Sequence, residues 1–334
     1  MSVDATALWP RKATAKPVDV VGLGQCSLDH VCLVEGLPQF AGKDRILDYT
    51  RLPGGQVATA LLACTRLGLR AAFIGSVGDD DAAERVLEPL RRAGVDLDAV
   101  RVVADTPTQL AVILLDRATG ERTVLWSRDA RLTIRLQDLS RSSIERGRAL
   151  HLDGGDPEVG IWASKVAREA GLPVVLDADT PTPGTAELLA HVDFPIVSHT
   201  FAETFFGTRD PREALRGLMA YGARMAVVTL GEIGALARLG DRELESPAYR
   251  VPVVDTTGAG DVFHAAFVWA LLEGLDAEGC LRAANAAAGM NCRAVGAQGG
   301  LATRPELEAF LATERPTAWR EPVLGEPPLA PPKR

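Results

Sequence analysis

Cysteine is scarce and scattered: Cys26, Cys32, Cys64, Cys280 and Cys292 form an odd-numbered set with no C-x-x-C pair. That argues against a disulfide framework or a zinc knuckle, and the five thiols read as small buried apolar side chains in a reducing compartment. Long apolar runs are also missing. No window reaches the ~18 apolar residues of a membrane span, and the N-terminal stretch, with Asp4 and the charged Arg11-Lys12, has no run of signal-peptide length. A cytoplasmic protein with no membrane partner is expected. Positive charge is in short supply too: 36 Lys and Arg face 44 Asp and Glu, a net charge of −8 with a pI near 5.3. No Lys/Arg cluster interleaved with aromatics is present, so a nucleic-acid partner is not expected. Any anionic ligand must be held by a local site.

What is present suits a large core. The 334 residues are 47% hydrophobic and 24% charged, enough for one large or two small globular domains. Short Val/Ile/Leu runs alternate with helical stretches, and Val18–Leu23, Ala71–Ile74, Ala149–Leu152, Pro173–Leu176, Pro195–Val197 and Met225–Leu230 are strand candidates. The alternation predicts an α/β fold with a mostly parallel sheet covered by helices. Val57, Ala60, Leu61, Cys64 and Leu67 give residues 56–67 the spacing of a helix with one buried face, ended by Gly68. Residues 30–53 and 107–126 break the rhythm and read as hairpin strands outside the main sheet. Residues 1–16 and the Pro-rich 315–334 read as mobile tails around one domain over 17–314.

Residues 255–267, Asp-Thr-Thr-Gly-Ala-Gly-Asp-Val-Phe-His-Ala-Ala-Phe, follow the apolar run Val251–Val254 and lead into another at Phe267–Leu272. The order reads as strand, glycine turn, helix N-terminus. Amides around Gly258, Ala259 and Gly260 would lack intrahelical acceptors, and the helix dipole adds positive character there, so the turn suits an anion, phosphate above all. Asp261 then stands beside a phosphate site, where a carboxylate needs a positive neighbour, a metal or a proton to accept. A general base for an attacking hydroxyl meets that need, whereas a lone Asp in a first helical turn would read as a cap. His264, one turn on, reads as a packed histidine.

Val21-Gly22-Leu23-Gly24 follows a strand but lacks the third glycine of a dinucleotide fingerprint, Ser27 standing in its place. Asp29 can accept hydrogen bonds from two vicinal hydroxyls, as a sugar site requires, or can cap a turn. Pro53-Gly54-Gly55-Gln56 precedes the amphipathic helix and would let a ligand approach its backbone closely. Thr229-Leu-Gly231-Glu-Ile-Gly234 ends a strand in a glycine-rich turn, open to an anion or to a plain hairpin.

Asp255-Thr-Thr-Gly-Ala-Gly-Asp261 resembles the C-terminal signature of the ribokinase, or PfkB-type, family of sugar and nucleoside kinases. The resemblance runs over roughly residues 18–312. It implies a ribokinase-like three-layer α/β/α sandwich with a small β-strand lid near its start. It also implies ATP with Mg²⁺, Asp261 as the base, and Gly258, Ala259 and Gly260 as the anion hole. Asp29, Gly54, Gly55 and Gln56 fall at sugar-binding places, although Gln56 and Thr59 replace two asparagines common there. Thr229, Gly231, Gly234 and Asn285 fall at nucleotide-binding places. So does Ser198, but Ser198 and Phe201 replace the Asn and Glu of an Asn-x-x-Glu motif tied to magnesium and phosphate. Asp255 resembles a residue that binds a monovalent cation such as K⁺ in several members.

Within the family, Val34-Glu-Gly-Leu-Pro38, Gly78-Asp-Asp-Asp81 and Val175-Leu-Asp177 look most similar to 6-deoxy-6-sulfofructose kinases, with ketohexokinase next. Lys43 matches a sulfonate-binding lysine there; the other sulfonate positions, around Trp126-Ser127 and Asp153-Gly154-Gly155, do not match. The expectation is an ATP-dependent kinase phosphorylating a primary hydroxyl of a ketose or ketose derivative, such as a fructose-type or 6-deoxy-6-sulfofructose substrate, and forming a homodimer through the lid. A nucleoside kinase on the same scaffold and a non-catalytic sugar or nucleotide sensor are the alternatives. The few lid aromatics weigh against the first, and retention of Asp261 beside the glycine turn weighs against the second.

Overall fold

The computed structural model describes residues 7–10, 15–38 and 41–322. Its strands are β1 (Val20–Leu23), β2 (Ser27–Val34), β3 (Asp48–Gly54), β4 (Ala71–Gly78), β5 (Asp96–Val103), β6 (Leu110–Asp116) and β7 (Arg122–Ser127). They continue with β8 (Ala149–Leu152), β9 (Val174–Ala178), β10 (Phe194–Ser198), β11 (Ala226–Thr229), β12 (Gly234–Leu239) and β13 (Arg242–Pro247). Nine of them form one sheet in the order β13-β12-β11-β10-β9-β8-β1-β4-β5, parallel from β5 to β11 and antiparallel at the β12 and β13 edge. All six strand candidates fall in this sheet.

The helices are α1 (Gln56–Arg66), α2 (Asp81–Arg92), α3 (Arg141–Glu145), α4 (Pro157–Glu169), α5 (Thr185–Leu189), α6 (His199–Phe206), α7 (Pro211–Ala220), α8 (Ala259–Glu273), α9 (Ala277–Asn291) and α10 (Arg304–Thr313). They cover both faces. Alternate strand residues enter two separate cores, Val20, Phe73 and Phe194 joining α1, α8 and α9, while Val21, Ile74 and Val197 join α4, α6 and α7. A strand buried on both faces reads as a continuous apolar run, which is why these strands were visible in the sequence. The five cysteines are buried and unbonded, as expected. No helix among the described residues is long and apolar enough to cross a membrane.

The remaining strands form a second sheet, β3-β2-β6-β7, with its own small core of Val31, Ala111, Ile113 and Leu115. Its strands come from the two segments that break the βα rhythm. β2 leaves the main sheet only four residues after β1 ends, so the second sheet is anchored beside the C-terminal edge of the first. There β1 lies between β8 and β4, and the order of connections reverses; such a reversal opens a crevice at the strand ends.

Two expectations need correction. Val251–Val254 is not a strand: Val253 and Val254 are 48% and 45% exposed and join no ladder. An apolar run makes a strand only where a neighbour can pair with it, and β13 ends the sheet before this segment. The tails are also shorter than expected where they are described. Leu8 is buried and donates its amide to Leu275 O, and Trp9 meets Phe194 edge-on with Arg224 stacked over it. At the other end Pro316 bridges Tyr249, and Glu321 pairs with Arg212 at 2.8 Å. Residues 1–6, 11–14 and 323–334 of the expected tails lie outside the described residues.

Candidate active site

α8 starts where glycine permits it to. Gly258, its N-cap, has φ +75, and a side chain there would strike the backbone of Ala297. Gly258 is buried, Ala259 half-buried and Gly260 exposed; the Ala259 amide donates to Thr256 O at 3.2 Å, and Asp261 stands in the first turn with part of its surface open. Behind the turn Asp255 is fully buried; Oδ1 accepts the Thr257 amide at 2.8 Å and Oδ2 the Gly296 amide at 2.7 Å. Asn291 donates to Thr257 O and Ala297 O, closing the support. The turn is thus held from below by a carboxylate and an amide.

Asp29 comes from the second sheet. It is 4% exposed, accepts the Ser27 hydroxyl at 2.7 Å, and lies against Gly54 at the end of β3. Burial pushes its carboxyl up to about 6, the charge of Asp255 adding to the effect and the Ser27 bond opposing it. Gly55 caps α1 at φ +93. Gln56 opens α1 and meets the Asp177 carboxylate at the end of β9. The sugar-binding candidates Asp29, Gly54, Gly55 and Gln56 therefore share one wall with Asp255 and the α8 turn. Lys43 is exposed on the connection between β2 and β3.

Asp261 is crowded by acid. Burial, followed by the charge of Asp177, raises its carboxyl well above the usual range, while His264 and Arg122 pull the other way. A carboxylate raised toward neutrality is better suited to take a proton from an alcohol than an ordinary one.

The nucleotide-binding candidates line the neighbouring strand ends. Ser198 and Thr229 are register partners on β10 and β11. The Ser198 hydroxyl accepts the Phe201 amide at 3.0 Å and caps α6, and Phe201 is wholly buried against Phe205. Those two places hold a cap and a core residue. Gly231 lies in the one-turn helix Gly231–Ile233 after β11, and Gly234 opens β12. Asn285 is buried on α9, not on its surface, and its amide nitrogen donates to Ser246 O at 2.8 Å and Ser246 Oγ at 2.9 Å in β13.

Sequence reasoning assigned no role to three neighbours of the site. Asp153, at the end of β8, accepts the Gln25 amide at 2.7 Å and the Gly155 amide at 2.9 Å, and burial raises it to about 6. Asp177 leaves Oδ2 buried and without a hydrogen bond. Arg122, from β7, donates to Thr256 Oγ1 at 3.0 Å, and Thr256 in turn bonds Gly120 O, so the second sheet touches the anion-hole segment directly. Its positive charge favours the ionised forms of both Asp29 and Asp261.

The model of the pfkB family of carbohydrate kinases matches residues 18–304. The chain belongs to that family. Phosphoryl transfer to a sugar is the enzyme class this membership brings. A ribokinase of Bacillus subtilis is 31% identical over 291 residues, 87% of this chain and 98% of that protein. A solved structure from Agrobacterium tumefaciens, 28% identical, covers 90% of this chain and 98% of its own with a TM-score of 0.81. The ribokinase of Arabidopsis thaliana, solved with ribose and ATP, is 26% identical, with a TM-score of 0.74 over 89% of this kinase and 99% of its own chain. The fold and family expected from the signature hold. The closer likeness to sulfofructose kinases or ketohexokinase finds no support in these relatives.

Proposed function

We propose that this kinase transfers the γ-phosphoryl group of ATP to the primary hydroxyl of a small neutral sugar, a ketose of the fructose type first and ribose second. The observation that carries the reading is that Asp29 and Asp261 stand with the Gly258-Ala259-Gly260 turn at one end of the sheet, where the charge of Arg122, bonded to Thr256 beside the turn, reaches both aspartates. Asp29 and the Gly54-Gly55 backbone hold the sugar hydroxyls. Asp261 takes the hydroxyl proton as its oxygen attacks, and the turn amides stabilise charge on the transferring phosphoryl group. Arg122, at the edge of the turn, adds a cation where that charge gathers. Ser198, Thr229, Gly231 and Gly234 offer the adjoining strand ends to the nucleotide, and Asn285 holds β13 beneath them.

A neutral acceptor fits the charges better than a sulfonated one. Asp29, Asp153 and Asp177 make the crevice acidic. Arg128, which follows the Trp126-Ser127 position, is taken up by Asp156 at 2.7 and 2.9 Å.

Magnesium belongs to the reading as a partner of the nucleotide phosphates. Among the described residues no group of three or more His, Cys, Asp or Glu is arranged to hold a metal ion. This matches an ion that keeps its waters and arrives on phosphate oxygens, where it neutralises charge. Asp255 keeps lone pairs beyond its two amide bonds, which is what a monovalent cation such as K⁺ behind the turn would use. A second copy of the chain is the partner that would cover the exposed apolar residues of β7.

The test is coupled ADP release with Mg·ATP over fructose, tagatose, ribose, fructose 6-phosphate, 6-deoxy-6-sulfofructose, adenosine and inosine, with Asp261→Asn alongside. Turnover on a neutral ketose or ribose that falls about 10²- to 10⁴-fold in Asp261→Asn is the expected result. Preference for adenosine or inosine would establish a nucleoside kinase. Binding without ADP release on every member would overturn the catalytic reading in favour of a sensor.

A further inference from the structure

Behind the anion-hole turn lie two histidines and an aspartate that the reaction described above does not use. His264, on α8 one turn beyond Asp261, is 3% exposed. Its Nδ1 is 2.7 Å from Gly260 O and its Nε2 is 3.2 Å from Ile196 O in β10. A carbonyl oxygen only accepts, and a neutral imidazole carries one N–H. In either neutral tautomer one ring lone pair would face a carbonyl lone pair at hydrogen-bond distance with no proton between them. An imidazolium donates to both. The charge needs a counter-ion, and Asp177 stands in place for one: its Oδ2, buried and without a hydrogen bond, is 3.5 Å from Nδ1, with burial and then the charges of Asp179 and Asp153 raising its carboxyl and the imidazolium opposing them.

The other groups around the ring pull in both directions. Burial is the largest influence and lowers the ring below the usual histidine value, while the bonds to Gly260 O and Ile196 O and the charges of Asp261, on the same helix, and Asp179, just beyond β9, favour the charged ring. His151 on β8, its ring centroid 5.7 Å away, is kept neutral by burial and adds no competing cation. From α1 the neutral Gln56 faces Asp177, Asp153 lies beyond it on the β8 side, and Arg122 acts on Asp261 from β7. The acidic groups Asp177, Asp179 and Asp261 thus outnumber the one nearby cation, Arg122.

We propose that His264 is a positioning residue of the phosphoryl-transfer site. As an imidazolium paired with Asp177, it ties the Gly260 carbonyl to Ile196 in the middle of β10 and places a positive charge one turn behind the base. The Gly260 carbonyl belongs to the peptide group that joins the anion hole to Asp261. Holding it fixes the base and the hole relative to the sheet, and the charge keeps the Asp261 carboxylate ready to accept a proton. This deepens the kinase reading and rests on it.

The test uses the full chain with ¹⁵N-labelled histidine, of which it contains five. His264 is identified by the signal lost in His264→Gln. Both ring nitrogens are expected to be protonated at neutral pH, and Asp177→Asn is expected to leave the ring neutral. A neutral ring in the wild type overturns the proposal. In turnover, His264→Gln keeps an amide donor without the charge. Its kcat should fall by about one to two orders of magnitude with little change in either KM. The acidic limb of kcat/KM should also move to higher pH, because the charge that favours the Asp261 carboxylate is gone. A uniform loss with an unmoved limb would mean packing alone and overturn the proposal. If His264→Gln fails to fold, the wild-type signals, the one that becomes neutral in Asp177→Asn being His264, still decide. The ring signals do not depend on turnover, so failure of this proposal is separable from failure of the kinase reading, which would show as Asp261→Asn keeping its activity.

Discussion

Gly54 and Asp29 face each other diagonally across the β2 and β3 pair so closely that a methyl group on Gly54 would overlap the Asp29 carboxylate. Gly54→Ala therefore tests the sugar wall without touching any charge. The carboxylate must turn away and give up its 2.7 Å bond from Ser27, an overpacking that costs about 1–3 kcal/mol. A lower melting temperature and a raised KM for the sugar are expected, with KM for ATP near the wild-type value. An unchanged sugar KM would remove Asp29 from the acceptor site.

Asp29 should also weaken the fold at neutral pH. Its carboxyl titrates at about 6 in the folded chain against 3.8 for the free group. Below pH 3.8 it is protonated in both states. As pH rises through about 6 the folded chain must ionise a buried group that the unfolded chain ionised earlier, so stability falls. The full effect is on the order of 3 kcal/mol at most. Asp29→Asn escapes that loss. Its melting temperature should match the wild type near pH 4 and exceed it at pH 8, while sugar phosphorylation is lost. A gap independent of pH would contradict the burial of this charge.

The same reasoning sets the pH dependence of turnover. Asp261 must be ionised to accept a proton, and burial together with Asp177 raises its carboxyl well above 3.8. Activity should fall as the pH drops below neutrality, at a higher pH than an ordinary carboxylate would set. The rising limb in kcat/KM should move to lower pH in Asp177→Asn, which removes the neighbouring acid, provided that loss outweighs the loss of charge on His264. A limb that moves up instead would make the His264 charge the larger influence on the base.

Much of this arrangement was legible before any coordinates. The parallel strands show as apolar runs because both their faces are buried. The turn of α8 shows because Gly258 and Gly260 frame the start of a helix that is buried along nearly its whole length. What stayed hidden has a physical reason in each case. β5, with the sequence Asp-Leu-Asp-Ala-Val-Arg-Val-Val, sits at the sheet edge and mixes charge with apolar residues. β13 forms the other edge, where a half-solvated strand needs no apolar run, and β12 beside it is buried but short and starts from the glycine that ends the turn after β11. Val251–Val254 has a strand-like composition, but no neighbouring strand is within reach. Asp153, Asp177 and His264 lie far apart in sequence. They become one buried cluster only because β8 and β9 end at the edge where α8 begins, and no periodicity along the chain reports that.

Thr256 joins the two sheets at the site. Its amide and hydroxyl both bond Gly120 O at 3.1 Å, and its hydroxyl accepts from Arg122. Thr256→Val keeps the shape, removes the hydroxyl bonds and lets the β6 and β7 hairpin move from the anion-hole segment. Water then reaches the γ-phosphoryl group more often. ADP release without sugar should rise several-fold relative to sugar phosphate formed, with a melting temperature lower by a few degrees at most. Equal coupling in variant and wild type would show that the hairpin contact does not exclude water.

The outer strand of the second sheet carries more apolar surface than solvent favours. On β7, Val124, Leu125 and Trp126 are 43%, 58% and 64% exposed. Among the described residues β7 pairs only with β6, which leaves its other edge without a strand. An apolar, unpaired edge strand invites association, and a soluble chain that keeps one usually covers it. A second copy of the chain is the occupant proposed above. Light scattering should give twice the chain mass at micromolar concentration for the wild type and the chain mass for Trp126→Glu, whose charge would be buried without a partner in the interface. A wild-type chain that stays monomeric under those conditions, or a Trp126→Glu variant that stays dimeric, would place the contact elsewhere or remove it.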